Sequence, residues 1–195
     1  MTGPWIRTNE DDTLIFKEID NQTDRAAALI AVAYLEERLY TALLARLIRN
    51  KEAEEGLFGR SRPLGSFSSR IDLGALIGVY EPSTRKKLHT IREIRNEFAH
   101  QSKPRNFEDQ RIRALCRNIA LTAKVALHNK TTGVKHDLLF EDDGTPRGEF
   151  INVIKYLLLI LDKETKKMPL RVPKPPVFQT EPPPASSGIR KGRQS

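Results

Sequence analysis

The run Arg95-Asn96-Glu97-Phe98-Ala99-His100 places an arginine, an amide and a histidine within six residues. An arginine offers a rigid fork of donors suited to phosphate or carboxylate. A histidine titrates near neutrality and can take or give a proton. Asn96 and His100 are one helical turn apart, close enough for a hydrogen bond that fixes the imidazole tautomer. Such a set suits cleavage of RNA without a metal. His100 would activate the ribose 2′-hydroxyl, and Arg95 would stabilise charge on the phosphorane. The same residues also have a purely structural use, with Arg95 paired to Glu36 or Glu37 across a bundle and His100 capping helix carbonyls. The residues alone leave both readings open.

These side chains need a helix to hold them. Pro82 suits a first helical turn, where a missing N–H has no partner anyway, and Pro104 forbids much continuation, so the sequence predicts a helix over 82–100. At roughly 100° per residue, Ile91, Ile94 and Phe98 mark its core face. Arg85, His89, Arg92, Asn96 and His100 gather in a stripe roughly 80° wide on the far side. A plain solvated face would be rich in Lys and Glu, whereas this stripe holds two arginines, two histidines and an asparagine. Arg85, His89 and Arg92, with Arg70 from the preceding segment, are the binding candidates. Arg60, Arg62 and Arg70 could also build an anion site with the N-terminus of the helix that Ser66 is expected to cap, though a solvated loop fits them too. His89 and Arg92 also fit a simple surface pair. Arg95 and His100 lie about 140° apart on an ideal helix. They converge only if the helix ends or frays at His100, or if a second chain completes the site.

Four more helical patterns surround this one. Leu29, Val32, Leu35, Leu39, Leu43 and Leu47 recur at three- and four-residue steps after an N-cap at Thr23 or Asp24, and the helix closes near Asn50. Residues 55–65 read as a loop from three glycines and Pro63. Further helices are expected over 67–78, with Phe67, Ile71, Leu73, Leu76 and Ile77 inward, and over 107–128. A last one over 147–166 turns Phe150, Ile154, Leu157, Leu158 and Leu161 inward. Gly74 and Gly78 share a face and either permit close packing or weaken their helix. Residues 136–147 read as a loop or hairpin-like excursion. With no convincing alternation of period two, the fold class is all-α, a bundle of about five helices. The organisation is an N-terminal segment (1–22), a helical domain (23–167) and a Pro-rich, basic tail (168–195). Seven of the twelve prolines lie in that tail, which is expected to be disordered with polyproline II bias.

The formal charge of +8 is uneven, since seven Lys/Arg and one acid fall in 166–195, leaving a nearly balanced body of +2. That balance, and the lack of a basic recognition helix, argue against direct sequence-specific DNA binding. The single cysteine, Cys116, is a core residue in this reading and fits a reducing, cytoplasmic setting. No Cys/His spacing or EF-hand pattern calls for a metal, and no motif calls for a cofactor. No apolar run is long enough to span a bilayer, and the polar N-terminus does not read as a secretory signal.

Two resemblances meet on these residues. Arg62-Pro63-Leu64-Gly65-Ser66-Phe67-Ser68-Ser69-Arg70-Ile71-Asp72-Leu73, followed by Ile91 to His100, resembles the mannitol operon repressor family over roughly 24–166. Arg95-Asn96 followed by His100 is similar to the R-x4-6-H signature of HEPN domains. The first resemblance implies a small bacterial regulator of carbohydrate operons that acts through a protein partner or RNA. The second implies a helical bundle, often dimeric, in which Arg95 and His100 form a ribonuclease pair with Asn96 beside the arginine. The homodimer would bring together what one ideal helix keeps apart.

Overall fold

The computed structural model describes residues 10–100, 105–121, 126–128, 135–137 and 143–166. They form an all-α bundle of α1 (Glu10–Asp20), α2 (Asp24–Arg46), α3 (Lys51–Phe58), α4 (Phe67–Leu76), α5 (Pro82–His100), α6 (Gln110–Ile119) and α7 (Pro146–Thr165). A short antiparallel ribbon, β1 (Ala126–His128) with β2 (Lys135–Asp137), lies between α6 and α7 and pairs Leu127 with His136. The expected tail, 168–195, lies outside the described residues, as do residues 1–9; α1 occupies most of the remainder of the expected N-terminal segment, 1–22.

α2 and α7 form the central pair, with α5 on α2, and α6 closing the space between α5 and α7. Val32, Leu35, Leu39 and Leu43 on α2 and Phe150, Ile154, Leu157 and Leu161 on α7 are all buried in the common core. Ala27, Ala28, Ala31 and Ala42 are buried as well. Small side chains there let neighbouring helices approach, as close-packed interiors require. Thr23 caps α2, accepting from the Ala26 N–H at 3.4 Å, and Ser66 caps α4, accepting from the Ser69 N–H at 3.1 Å.

Four expectations need correction. The segment 55–65 is not all loop, because Asn50 caps α3 by accepting from the Ala53 N–H at 3.0 Å, and the helix runs to Phe58. Its glycine, Gly56, sits on a solvent face with nothing within 4 Å of a Cβ there, so the helix tolerates it. The fourth pattern stops at Ile119 instead of running to His128, and Phe107 precedes the helix. Lys87 of α5 closes that end, donating to Ile119 O at 2.7 Å and Ala120 O at 3.3 Å. Burial lowers the Lys87 pKa. Leu76 is 84 % exposed and not in the core. The expected excursion over 136–147 overlaps β2, which pairs with β1 over 126–128, so the ribbon begins before the expected segment.

The two glycines of α4 do different things. Gly78 has φ +69°, and Val79 N–H donates to Gly74 O at 2.9 Å while Gly78 N–H donates to Ala75 O at 3.3 Å. That is the Schellman arrangement, which a glycine in the left-handed region completes. Gly74 instead makes room for the ring of Tyr80, whose hydroxyl donates to Ile71 O at 2.6 Å. Burial, with Asp72 nearby, raises the Tyr80 pKa.

Asp24 ties three parts of the bundle together. It accepts from Phe107 N–H at 3.0 Å and from Arg147 Nη1 at 2.9 Å, while Arg147 Nη2 donates to Ile19 O at 2.8 Å. Cys116 is fully buried in α6 as expected, and burial with the nearby Glu149 pushes its thiol up to about 12. Because the thiolate is the reactive form, a disulfide reagent at pH 8 is expected to label Cys116 only when the bundle opens. Labelling rates should rise with urea in parallel with loss of helical circular dichroism. Fast labelling in native buffer would contradict the burial.

Candidate functional site

α5 runs unbroken from Pro82 to His100, with Leu88, Ile91, Ile94 and Phe98 buried against α2, α4 and α6. Two polar clusters line the side where it meets α4 and α2. In the first, Asp72 of α4 holds both Arg85 and His89. Its Oδ1 accepts from Arg85 Nε at 2.7 Å, and His89 Nε2 lies 3.0 Å away. The hydrogen bond to His89 is the largest influence on the Asp72 carboxyl; burial opposes it, and the bond and charge of Arg85 add to it, so the carboxyl is held below the usual carboxylate range.

The second cluster is centred on Glu36 of α2. Its Oε1 lies 3.5 Å from Arg70 Nη1, and its Oε2 lies 3.9 Å from Arg95 Nη2. Arg70 is fully engaged. It donates from Nε to Leu64 O at 2.9 Å and from Nη2 to Phe58 O at 3.2 Å, and it stacks over Tyr40 at 4.9 Å. It therefore ties the α3–α4 connection to α2, a use a planar five-donor group suits well. Tyr40 in turn donates to Glu54 at 2.7 Å, and that bond, with burial, raises its pKa. Arg95 is held more loosely. Its side chain is 35 % exposed, its ion pair with Glu36 is long, and its Nη1 donates to the adjacent Asn96 Oδ1 at 3.1 Å.

The stripe read from the sequence is thus divided. Arg85 and His89 come together on Asp72, while Arg70 and Arg95 meet through Glu36. Arg92 belongs to neither cluster and does not pair with His89; its Nε is shielded from water and has no hydrogen-bond partner among the described residues. Asn96 bonds Arg95, not His100. His100 is exposed at the helix end and makes no hydrogen bond among the described residues. The C-terminal carbonyl that His100 was expected to cap is taken by Arg25, which donates to Ala99 O at 3.2 Å. α5 stays helical through His100, and among the described residues Arg95 donates to Asn96 and no hydrogen bond joins it to His100.

The expected Arg95–Glu36 pair is present, whereas Asp72 escaped the sequence reading. Asp72 is the sole acid of α4, and it lies within the run that carries the first resemblance. A wheel of α5 alone cannot show an acid supplied by another helix. On the opposite flank, Glu93 and Glu97 are taken up by Arg111 at 3.1 and 2.8 Å, which fastens α6 to α5. Among the described residues, no three of His, Cys, Asp and Glu converge as metal ligands, and no helix is long and apolar enough to cross a membrane.

Asp72→Asn tests the first cluster. A carboxyl with a lowered folded-state pKa stabilises above its ordinary value of 3.8 and loses that contribution as pH falls through the folded value. Wild type should exceed the variant by up to about 1 kcal/mol at pH 6, a small figure because the pair is half exposed. Urea melts should converge as pH falls from 3.8 through the lowered folded value. A difference that stays constant with pH would exclude the charged carboxylate as its source.

Neither a protein-family model nor a curated protein sequence matches the chain. Its fold does have a solved counterpart. The structure described as "X-ray structure of the MtlR-HPr complex from Escherichia coli" contains a chain similar to this one at a TM-score of 0.56 and 18 % identity. The similarity covers 76 % of this chain and 96 % of that one, so nearly the whole of the neighbour's bundle has an equivalent here.

Proposed function

We propose that this protein is a regulator of the mannitol-operon-repressor type, acting in transcriptional repression by binding a protein partner and not through a DNA-reading helix of its own. The observation that carries this reading is the likeness of fold to MtlR, solved in complex with HPr, over almost the whole of that chain. The resemblance of residues 62–73 and 91–100 to the same family supports it. Within the reading, an HPr protein is the first partner to test, the cytoplasm is the setting, and residues 23–167 form the working domain. The α5 side with Arg85, His89, Arg92 and Arg95 supplies its polar contacts, since charged groups at an interface rim set partner choice and association rate. Isothermal titration of the full chain with HPr from the same cell tests it, and saturable binding is expected. An absence of binding, together with tight sequence-specific DNA binding by the chain alone, would overturn it.

A second reading, a metal-independent RNA endonuclease, is favoured by one specific feature. Arg95 is loosely held, and His100 is exposed without a partner among the described residues. In a homodimer the two groups from different protomers can face one phosphate. Incubation of purified protein with structured and single-stranded RNA in EDTA decides it. Cleavage by wild type, loss in Arg95→Ala and in His100→Ala, and partial recovery on mixing the two variants are expected of a shared site. Identical RNA after wild type and His100→Ala would end this reading.

A further inference from the structure

An open groove of about 910 Å³ lies between the C-terminal end of α2, the length of α3 and the last turn of α7. Leu44, Leu47, Ile48, Leu57 and Phe58 give it an apolar floor, and Thr165 stands at its rim. Ile48 is 59 % exposed and Leu57 43 %. The described residues expose four large hydrophobic side chains, and these two share one groove. Single exposed apolar residues are ordinary, but a contiguous apolar groove marks a docking site.

We propose that this groove is covered by the chain's own segment 168–178, Met-Pro-Leu-Arg-Val-Pro-Lys-Pro-Pro-Val-Phe. Position argues for it first. The chain leaves α7 at Thr165, on the rim itself, and 29 residues, 167–195, follow the described ones. Five extended residues reach about 17 Å, far enough to lay Leu170 across the groove. Sequence argues next. Met168, Leu170 and Val172 alternate with other residues, so an extended chain turns them to one side. Pro169, Pro173, Pro175 and Pro176 would favour an extended segment and leave fewer N–H groups to satisfy. Extended proline-rich segments bind aromatic-lined apolar grooves because little conformational freedom remains to be lost. Phe58, 7 % exposed, is the single aromatic side chain among the groove's lining residues.

Tethering argues last. Because the segment is tethered beside the groove, its effective concentration is in the millimolar range, and a weak contact suffices.

Hydrogen exchange on the full chain tests this inference. The comparison is wild type, L170D/V172D and I48D/L57D, all changed at exposed or tail positions, with thermal melts confirming that the bundle persists. In wild type, backbone amides over 44–58 should exchange several-fold more slowly than in L170D/V172D, independently of protein concentration. Trypsin should cut after Arg171 several-fold faster in I48D/L57D than in wild type. Equal exchange in wild type and L170D/V172D overturns the proposal. So does protection that appears only as concentration rises, which would assign the groove to a second copy of the chain.

Discussion

Phe107→Ala is expected to cost about 3–5 kcal/mol, the range for emptying a buried phenylalanine site. Phe107 is 1 % exposed, and its ring lies 4.9 Å from Phe98 and 5.2 Å from Phe150, centroid to centroid. It therefore joins α5 to α7 from the turn that introduces α6. Truncation leaves a cavity between three elements, and none can close it without moving away from the others. The backbone around it is pinned as well, because Phe107 N–H donates to Asp24. In a domain of this size each kcal/mol moves the melting midpoint by about 2–4 °C, so a fall of about 10 °C is expected. Phe107→Leu keeps much of the volume and should cost about half as much or less. Urea unfolding followed by circular dichroism measures both. A loss under 1 kcal/mol for the alanine variant would mean that the three rings do not form a shared core.

Gly74→Ala is the second large effect, and its sign runs against helix propensity. Alanine in the middle of a helix gains about 1 kcal/mol over glycine. Here a Cβ would lie 2.5 Å from the Tyr80 hydroxyl and 2.7 and 2.9 Å from its ring carbons. The ring cannot swing aside freely, since Tyr80 is 8 % exposed and its hydroxyl is bonded to Ile71 O. Overpacking and the lost buried hydrogen bond together outweigh the gain, leaving a net loss of about 2–4 kcal/mol. The double variant with Tyr80→Ala should lose less than the two single losses combined, because the clash exists only when both side chains are present. A neutral or stabilising Gly74→Ala would show that the Tyr80 ring has room to move.

The parts of the fold that were legible were those whose signals are local and redundant. α5 begins at Pro82 and ends at His100, as the two prolines and the Ile91, Ile94 and Phe98 spacing require. The caps at Thr23 and Ser66 and the inward face of α7 follow from the same kind of signal. α3 was hidden because its glycine and its flanking turn residues weigh towards a loop, while Asn50 and the packing of Phe58 outweigh them. α6 was overextended because Leu121 and Val125 continue the apolar spacing beyond the point where Lys87 closes the helix. Leu76 kept a core spacing at the end of a helix that the Schellman turn halts.

The site divides in the same way. Arg95 and Glu36 lie on the two longest helices of the first hundred residues, so their pairing was accessible from amphipathic faces alone. The arrest of Arg85 and His89 by Asp72 depends on how α4 crosses α5. No property of α5's own sequence encodes that crossing. Arg70 carried the right chemistry for an anion, but three protein carbonyl and carboxylate partners meet that chemistry from within.

The helix ends closed by side chains from other helices have a consequence for cooperativity. Arg25 of α2 holds the last turn of α5, and Lys87 of α5 holds the last turn of α6. A helix closed by its own glycine keeps its terminus when its neighbours leave, whereas these two do not. Excised as peptides, α5 and α6 would fray from their C-termini, and in the intact chain their last turns melt together with the bundle. The turn that carries Asn96 and His100 is thereby as ordered as the contact between α2 and α5, and loosening that contact would let it fray without touching either residue.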